Sequence, residues 1–190
     1  MRIMHALSCF AAVTVIACNP MTSRREATRV DAKAQAIAPQ TYSVEDVYQN
    51  TRFRGISWSS DSRSLLVSSD LSGIWNAYAV PRSGGAPRPL TRSSVNSIFA
   101  VSYFPADDRF IYSTDEGGNE LTHIYVQSPD GSTQDLTPGA KLKASFLGWA
   151  GDDRSMFVST NERDPRYFDL YEISIEGYRR TLLYRNTRWL

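Results

Sequence analysis

Residues 149–173 read WAGDDRSMFVSTNERDPRYFDLYEI: an aromatic, a polar turn, a strand-like run, a second polar stretch and another strand-like run. Two earlier stretches say much the same. WSSDSRSLLVSSD runs from Trp58 to Asp70 and FPADDRFIYSTD from Phe104 to Asp115. Each is followed by a strand with a polar residue two before a tyrosine: Asn76 and Tyr78, His123 and Tyr125, Asp169 and Tyr171. A tight-turn pair comes next, Gly84-Gly85, Asp130-Gly131 or Glu176-Gly177. Gly85, Gly131 and Gly177 recur at an interval of about 46 residues, as do Leu90, Leu136 and Leu182, with Thr91 and Thr137 after the first two leucines.

A period of this length with four strand-like runs is the pattern of β-propeller blades. One four-stranded sheet cannot cover its own two faces, so such sheets stack around an axis and share their cores. The expectation is therefore an all-β partial β-propeller of three four-stranded blades, at about 52–92, 97–138 and 143–186. Within the first blade, Gly55–Trp58 alternates as a half-buried strand, Ser59–Ser62 turns, and Leu65-Leu66-Val67 reads as buried on both faces. Ile74–Val80 is the third strand. Pro87 and Pro89 cannot donate to a ladder, which sends the fourth strand, near Arg88–Leu90, to an edge. The later blades repeat this at Ile98–Tyr103, Phe110–Ser113, Leu121–Gln127 and Gln134–Leu136, then at Ala144–Trp149, Ser155–Ser159, Phe168–Ile173 and Arg179–Tyr184. Trp58, Phe104 and Trp149 are read as one repeated position, packed between neighbouring blades. Three blades fall short of the four to eight that close a ring. Two blade faces would stay bare, so a fragment or one piece of a larger assembly is expected.

Composition agrees with a β-rich globule: aromatics make up 12% of 190 residues. A formal net charge of +1 with no basic stripe argues against nucleic-acid binding. Ala6–Ala17 is an apolar run after Arg2, long enough for a signal-peptide core and too short for a membrane span. Its end, Val15-Ile-Ala-Cys18, resembles the lipobox of bacterial lipoproteins. The resemblance implies a signal at 1–18, diacylglyceryl attached to Cys18, and a domain anchored by lipid at the periplasmic face of a membrane. Asn19 in place of Asp resembles sorting to the outer rather than the inner membrane. An ordinary secretory signal with a chance cysteine is the alternative. After cleavage Cys18 is the sole cysteine, so no disulfide supports the fold. Residues 19–41 read as a polar tether. Ser43-Val-Glu-Asp46 matches a capping box, predicting one short helix over 43–49 whose Val44, Val47 and Tyr48 lie over the propeller's end.

The strings FRGISWSSDSRSLLVSSDLSGIWNAYAVPRSGG, YSTDEGGNELTHIYV and TNERDPRYFDLY resemble the N-terminal propeller of S9 serine peptidases, the prolyl oligopeptidase family. The acylaminoacyl- and dipeptidyl-peptidase branch is nearest, and TolB has similar repeats. The resemblance covers residues 42–190. It implies a propeller that restricts peptide access to a C-terminal α/β-hydrolase domain bearing a Ser–Asp–His triad. No Gly-x-Ser-x-Gly elbow occurs in the 190 residues, and the two histidines are His5 and His123. His123 fills a repeat position held elsewhere by Asn76 and Asp169, so no catalytic residue is assigned. Loop charges are the remaining candidates for peptide or interface contacts: Glu116, Asn119 and Glu120 in one inter-strand loop, and Glu162, Arg163 and Asp164 in the equivalent one. A glutamate there suits a peptide ammonium and Arg163 a carboxylate; a solvated face or a local 162–164 charge network is the simpler alternative. No metal cluster, phosphate loop or stacking platform stands out, so no metal or cofactor is expected. Partners would be a peptide substrate reached through the missing hydrolase domain, or a protein bound by a TolB-like module.

Overall fold

The computed structural model describes residues 40–188; the signal, Cys18 and nearly all of the tether lie outside them. Twelve strands form three antiparallel four-stranded sheets, each in chain order. The first holds β1 (Phe53–Trp58), β2 (Ser64–Ser69), β3 (Asn76–Pro81) and β4 (Arg88–Pro89). The second holds β5 (Phe99–Tyr103), β6 (Phe110–Thr114), β7 (His123–Gln127) and β8 (Thr133–Asp135). The third holds β9 (Ala144–Trp149), β10 (Ser155–Asp164), β11 (Tyr167–Ser174) and β12 (Arg180–Tyr184). This is the all-β partial propeller that the repeat predicts.

Strand alternation sends successive side chains to opposite neighbours. In the second blade Tyr103, Phe110 and Tyr112 pack with Leu66 and Ala77 of the first. The alternating set Phe104, Ile111, Ile124, Val126 and Leu136 packs with Ala144, Met156, Val158 and Ile173 of the third. Serine hydroxyls tie the inner strands across the same joints. Ser57 Oγ accepts from the Tyr103 amide at 2.9 Å, Ser68 Oγ accepts from the Ala100 amide at 2.8 Å, and the Trp149 indole donates to Ser102 Oγ at 3.0 Å. All three inner-strand pairings carry a register shift, at Arg54/Ser57, Ala100/Ser102 and opposite Phe157/Val158. Gly55 sits in the first of these at φ 68°, a left-handed backbone conformation that favours glycine.

Pairing corrects the sequence alignment in two places. Trp58 faces Leu65, Tyr103 faces Phe110 and Trp149 faces Met156, so Tyr103, not Phe104, shares the position of the two tryptophans. Phe104 comes one residue later and packs against Trp149, the rings tilted at 59° with centroids 4.9 Å apart. At the outer strand, Tyr78, Tyr125 and Tyr171 pair with Pro89, Asp135 and Leu182. The counterpart of Leu90 and Leu136 is therefore Leu183 rather than Leu182. Position along the joint decides burial: Leu136, between blades two and three, is 3% exposed, whereas Leu183, on the onward face of blade three, is 47% exposed. Trp58, on the backward face of blade one, is likewise 50% exposed and does not pack between blades as expected.

The helix forms as α1, Val44–Tyr48, with Ser43 as N-cap and the reciprocal Ser43–Asp46 capping box in place. It buries none of its residues, and Val44, Val47 and Tyr48 are exposed rather than laid over the blades. Its short length rests on the cap, not on packing.

The two equivalent leucines give a direct test of the joint. Leu136→Ala should lower unfolding free energy by about 2–5 kcal/mol, whereas Leu183→Ala should change it by less than about 0.5 kcal/mol, as read from urea denaturation.

Candidate functional site

A polar residue near the start of each third strand, Asn76 and Asp169 buried and His123 partly so, holds the chain at the blade's outer strand. Asn76 accepts at Oδ1 from the Thr91 hydroxyl and the Ser93 amide, both at 2.8 Å, and its Nδ2 donates to the Ser93 carbonyl at 3.0 Å. Thr91 Oγ1 in turn accepts from the Ala77 amide at 2.8 Å, and Thr137 Oγ1 from the Ile124 amide at 2.9 Å. In the second blade His123 Nδ1 lies 2.7 Å from Asp135 Oδ2, and Asp135 Oδ1 accepts from the Thr137 amide at 2.8 Å. In the third, Asp169 receives both Arg163 Nε at 2.6 Å and Nη2 at 2.8 Å, plus the Asn186 amide at 2.8 Å. Asn76 to Ser93 and Asp169 to Asn186 span the same distance along the chain. Three residue types do one job, and His123 does it through Asp135. Among the described residues, no serine hydroxyl bonds to the His123 ring.

The sequence-derived candidates divide by geometry. Glu116, Asn119 and Glu120 lie in the exposed β6–β7 loop, whose Gly117, Gly118 and Glu120 take left-handed φ values. Asn119 Oδ1 is used by the loop, accepting from the Leu121 amide at 2.9 Å, and the Gly117 amide donates to Asn96 Oδ1 at 3.0 Å. The carboxylates of Glu116 and Glu120 form no ion pair among the described residues. Glu116 and Asn119 share a cavity of about 240 Å³ with Asp115, His123, Tyr125 and Asp135. Its wall is acidic and aromatic, a setting that suits a cation. Tyr125 is stacked on Tyr112 at 5.2 Å and adjoins His123 at 6.3 Å, which fixes that wall.

Glu162, Arg163 and Asp164 are not in the equivalent loop. β10 runs on to Asp164 and turns back at Pro165-Arg166, so all three are strand residues beside a register shift. Each also has its own partner: Glu162 with Arg180, Arg163 with Asp169, and Asp164 with Arg166 at 2.8 Å. The three therefore form no ion pair with one another; each pairs outward, to a residue beyond 162–164. Hydrogen bonds from Arg163 hold the Asp169 carboxyl below the usual range, against the opposing effect of its burial. Burial, helped by a hydrogen bond to Glu162, pushes the Tyr171 phenol up to about 12. Asp135 and Arg180 are the partners that sequence reading overlooked. Asp135 had one visible signal: it directly precedes the repeated Leu-Thr pair, where blade one has proline.

No family model matches the chain. Among curated proteins it is similar to dipeptidyl aminopeptidase BIII of Pseudoxanthomonas mexicana, with 27% identity over 143 residues, 74% of this chain and 21% of that protein. The chain thus spans about a fifth of the length of that relative. Among solved structures, a putative TolB from Agrobacterium tumefaciens matches with TM-score 0.55 and 18% identity, over 70% of this chain and 46% of the other. Prolyl oligopeptidase B from Galerina marginata matches with TM-score 0.54 and 10% identity, over 76% and 24%.

The Asp169 clasp makes stability pH-dependent. A carboxylate with a lowered folded-state pKa contributes stability that is present above its unfolded value, near 4, and is lost as pH falls through the folded value. Melting temperature should hold from neutral pH to about 5 and fall below about 4, and Asp169→Asn, already less stable at neutral pH, should show a shallower acid-side fall. Thermal melts across that pH range measure both. The fold is that of a partial β-propeller of the kind found in TolB and the prolyl oligopeptidases, and the sequence is similar to part of an S9-family dipeptidyl aminopeptidase.

Proposed function

We propose that this chain is the non-catalytic N-terminal propeller portion of an exported S9-type serine peptidase, with peptide hydrolysis carried out by a hydrolase domain that these 190 residues do not contain. The observation that carries the reading is the sequence similarity to dipeptidyl aminopeptidase BIII across 74% of the chain, because the propeller fold alone is shared with TolB. In this reading the blades form a wall that admits short or unfolded peptides. The acidic cavity beside Glu116 and Asn119 offers a place for a peptide's ammonium group, whereas the paired Glu162, Arg163 and Asp164 serve the frame of the third blade. The lipobox-like ending at Cys18 supports export and lipid anchoring at the periplasmic side, with Asn19 favouring the outer membrane. A TolB-like module that binds a protein partner is the second reading, and the TolB match supports it.

Sequencing the reading frame past codon 190 and treating its full product with a fluorophosphonate separates the two. The peptidase reading expects a Gly-x-Ser-x-Gly elbow downstream, labelling of the full product, and no labelling of residues 1–190 alone. A stop directly after codon 190, or a long product that resists the probe, would defeat it.

A further inference from the structure

A second cleft, of about 470 Å³, opens between the outer strand of the first blade and the second blade. Its volume lies within the range of ligand pockets. Arg88, Pro89, Leu90 and Arg92 form one side, with Tyr103, Phe110 and Gln127 on the other. The Gln127 amide donates to the Leu90 carbonyl at 2.8 Å, which pins β4 to the second blade and keeps the cleft's two sides in place.

Tyr103 is the informative group. Its ring packs edge-on against Phe110 at 6.3 Å and the residue is 6% exposed, yet its hydroxyl has no hydrogen-bond partner among the described residues. Among the described residues no buried side-chain polar atom lacks a partner, so the Tyr103 hydroxyl, unlike its ring, is reached from outside. Its oxygen stays open to the cleft, within the electrostatic reach of Arg88, Asp108 and Asp61. Burial pushes the phenol up while the Arg88 charge acts the other way, so Tyr103 remains a protonated donor at neutral pH.

The charges around it are unequally occupied. Asp61 is held by Ser59 and the Arg63 amide, and Asp130 by both the amide and hydroxyl of Ser132. Arg88 and Arg92 make no ion pair or hydrogen bond through their guanidinium groups among the described residues. Asp108 is the remaining unpaired carboxylate on the rim. Two free guanidinium groups and an unpartnered phenol are three donors without an acceptor.

We propose that this cleft is a carboxylate-binding subsite, in which Arg88 and Arg92 take the carboxylate and the Tyr103 hydroxyl donates a further hydrogen bond. Guanidinium groups suit carboxylate and phosphate alike. The three carboxylates on the rim, Asp61, Asp108 and Asp130, favour the monoanion over a phosphate dianion. The carboxylate can come from a peptide C-terminus, an acidic side chain or a free organic acid. The site does not depend on the peptidase reading, since its occupancy is measured as binding and not as turnover.

The full chain would be titrated by NMR with five probes: acetyl-Ala-Ala-Ala bearing a free carboxylate, its C-terminal amide, acetyl-Ala-Glu-Ala-amide, acetate, and inorganic phosphate. Saturable shifts of the Tyr103 ring and of the Arg88 and Arg92 Nε–H signals are expected with carboxylate probes and not with the uncharged amide. The tightest of the three carboxylates identifies the source. Arg88→Met should weaken binding about tenfold, as for loss of one charge-assisted pair. Tyr103→Phe, which keeps the ring packing, should weaken it in the same direction, and Asp108→Asn should strengthen it. Equal shifts with the amide-capped peptide, unchanged affinity in both Arg88→Met and Tyr103→Phe, or tighter binding of inorganic phosphate than of any carboxylate would overturn the proposal.

Discussion

Each blade must bury two faces, and a single sheet can do so only by lending one face to each neighbour. The second blade shows the constraint in full. Phe110 turns to the first blade and Ile111 to the third; Tyr112 turns back again. Neither face can be traded for polar function without opening a joint, so strand periodicity and blade stacking are a single requirement. Stability in such an array is close to a sum of blade and nearest-neighbour terms. That is why chemically similar leucines differ so much in burial according to which joint they meet.

The joints also have polar fixtures, and these follow the same order. Serine hydroxyls receive amides of the next blade's inner strand, while Arg109 reaches from the second blade to the Ile175 carbonyl at 3.2 Å and the Tyr178 hydroxyl at 2.8 Å in the third. Arg109 also lies over the Phe104 ring at 4.2 Å, itself in the shared core, so one guanidinium covers the edge of the apolar joint and closes its rim. Asp107 occupies the rest of that guanidinium with hydrogen bonds of 2.7–3.1 Å. The apolar core supplies adhesion; the hydroxyls and Arg109 supply register.

Much of this was legible in the sequence because turns, not strands, keep the period. Gly85, Gly131 and Gly177 mark the interval faithfully, and the strand runs between them fall where alternation puts them. Register was less legible. A bulge adds or removes a residue without changing hydrophobic character, so Phe104 looked like the partner of Trp58 when pairing gives that place to Tyr103. The same slip separates Leu182 from Leu183. The helix cap was readable because its partners are three residues apart, while the exposure of Val47 and Tyr48 depends on what lies beside them. At 162–164, a run of charges before proline resembled a loop. Pairing of Asp164 with Tyr167 and the Asp164–Arg166 contacts instead extend the hairpin to that turn.

The repeat itself indicates where chemistry can vary. Joint positions stay apolar from blade to blade, but the polar position two before the third-strand tyrosine changes from Asn76 to His123 to Asp169 without losing its structural task. Each substitution recruits a different partner, respectively Thr91 with the Ser93 backbone, Asp135, and Arg163 with the Asn186 amide. A position that can hold an amide, an imidazole or a carboxylate while the frame stands is one where a polar wall can change without cost to the core. The acidic cavity around His123 is built on such a position. The cleft at Tyr103 arises differently, where the middle blade puts a phenol in a place the others give to tryptophan. Both lie at the rims of blades, where a fold with every sheet face committed to packing still has side chains free to meet a ligand.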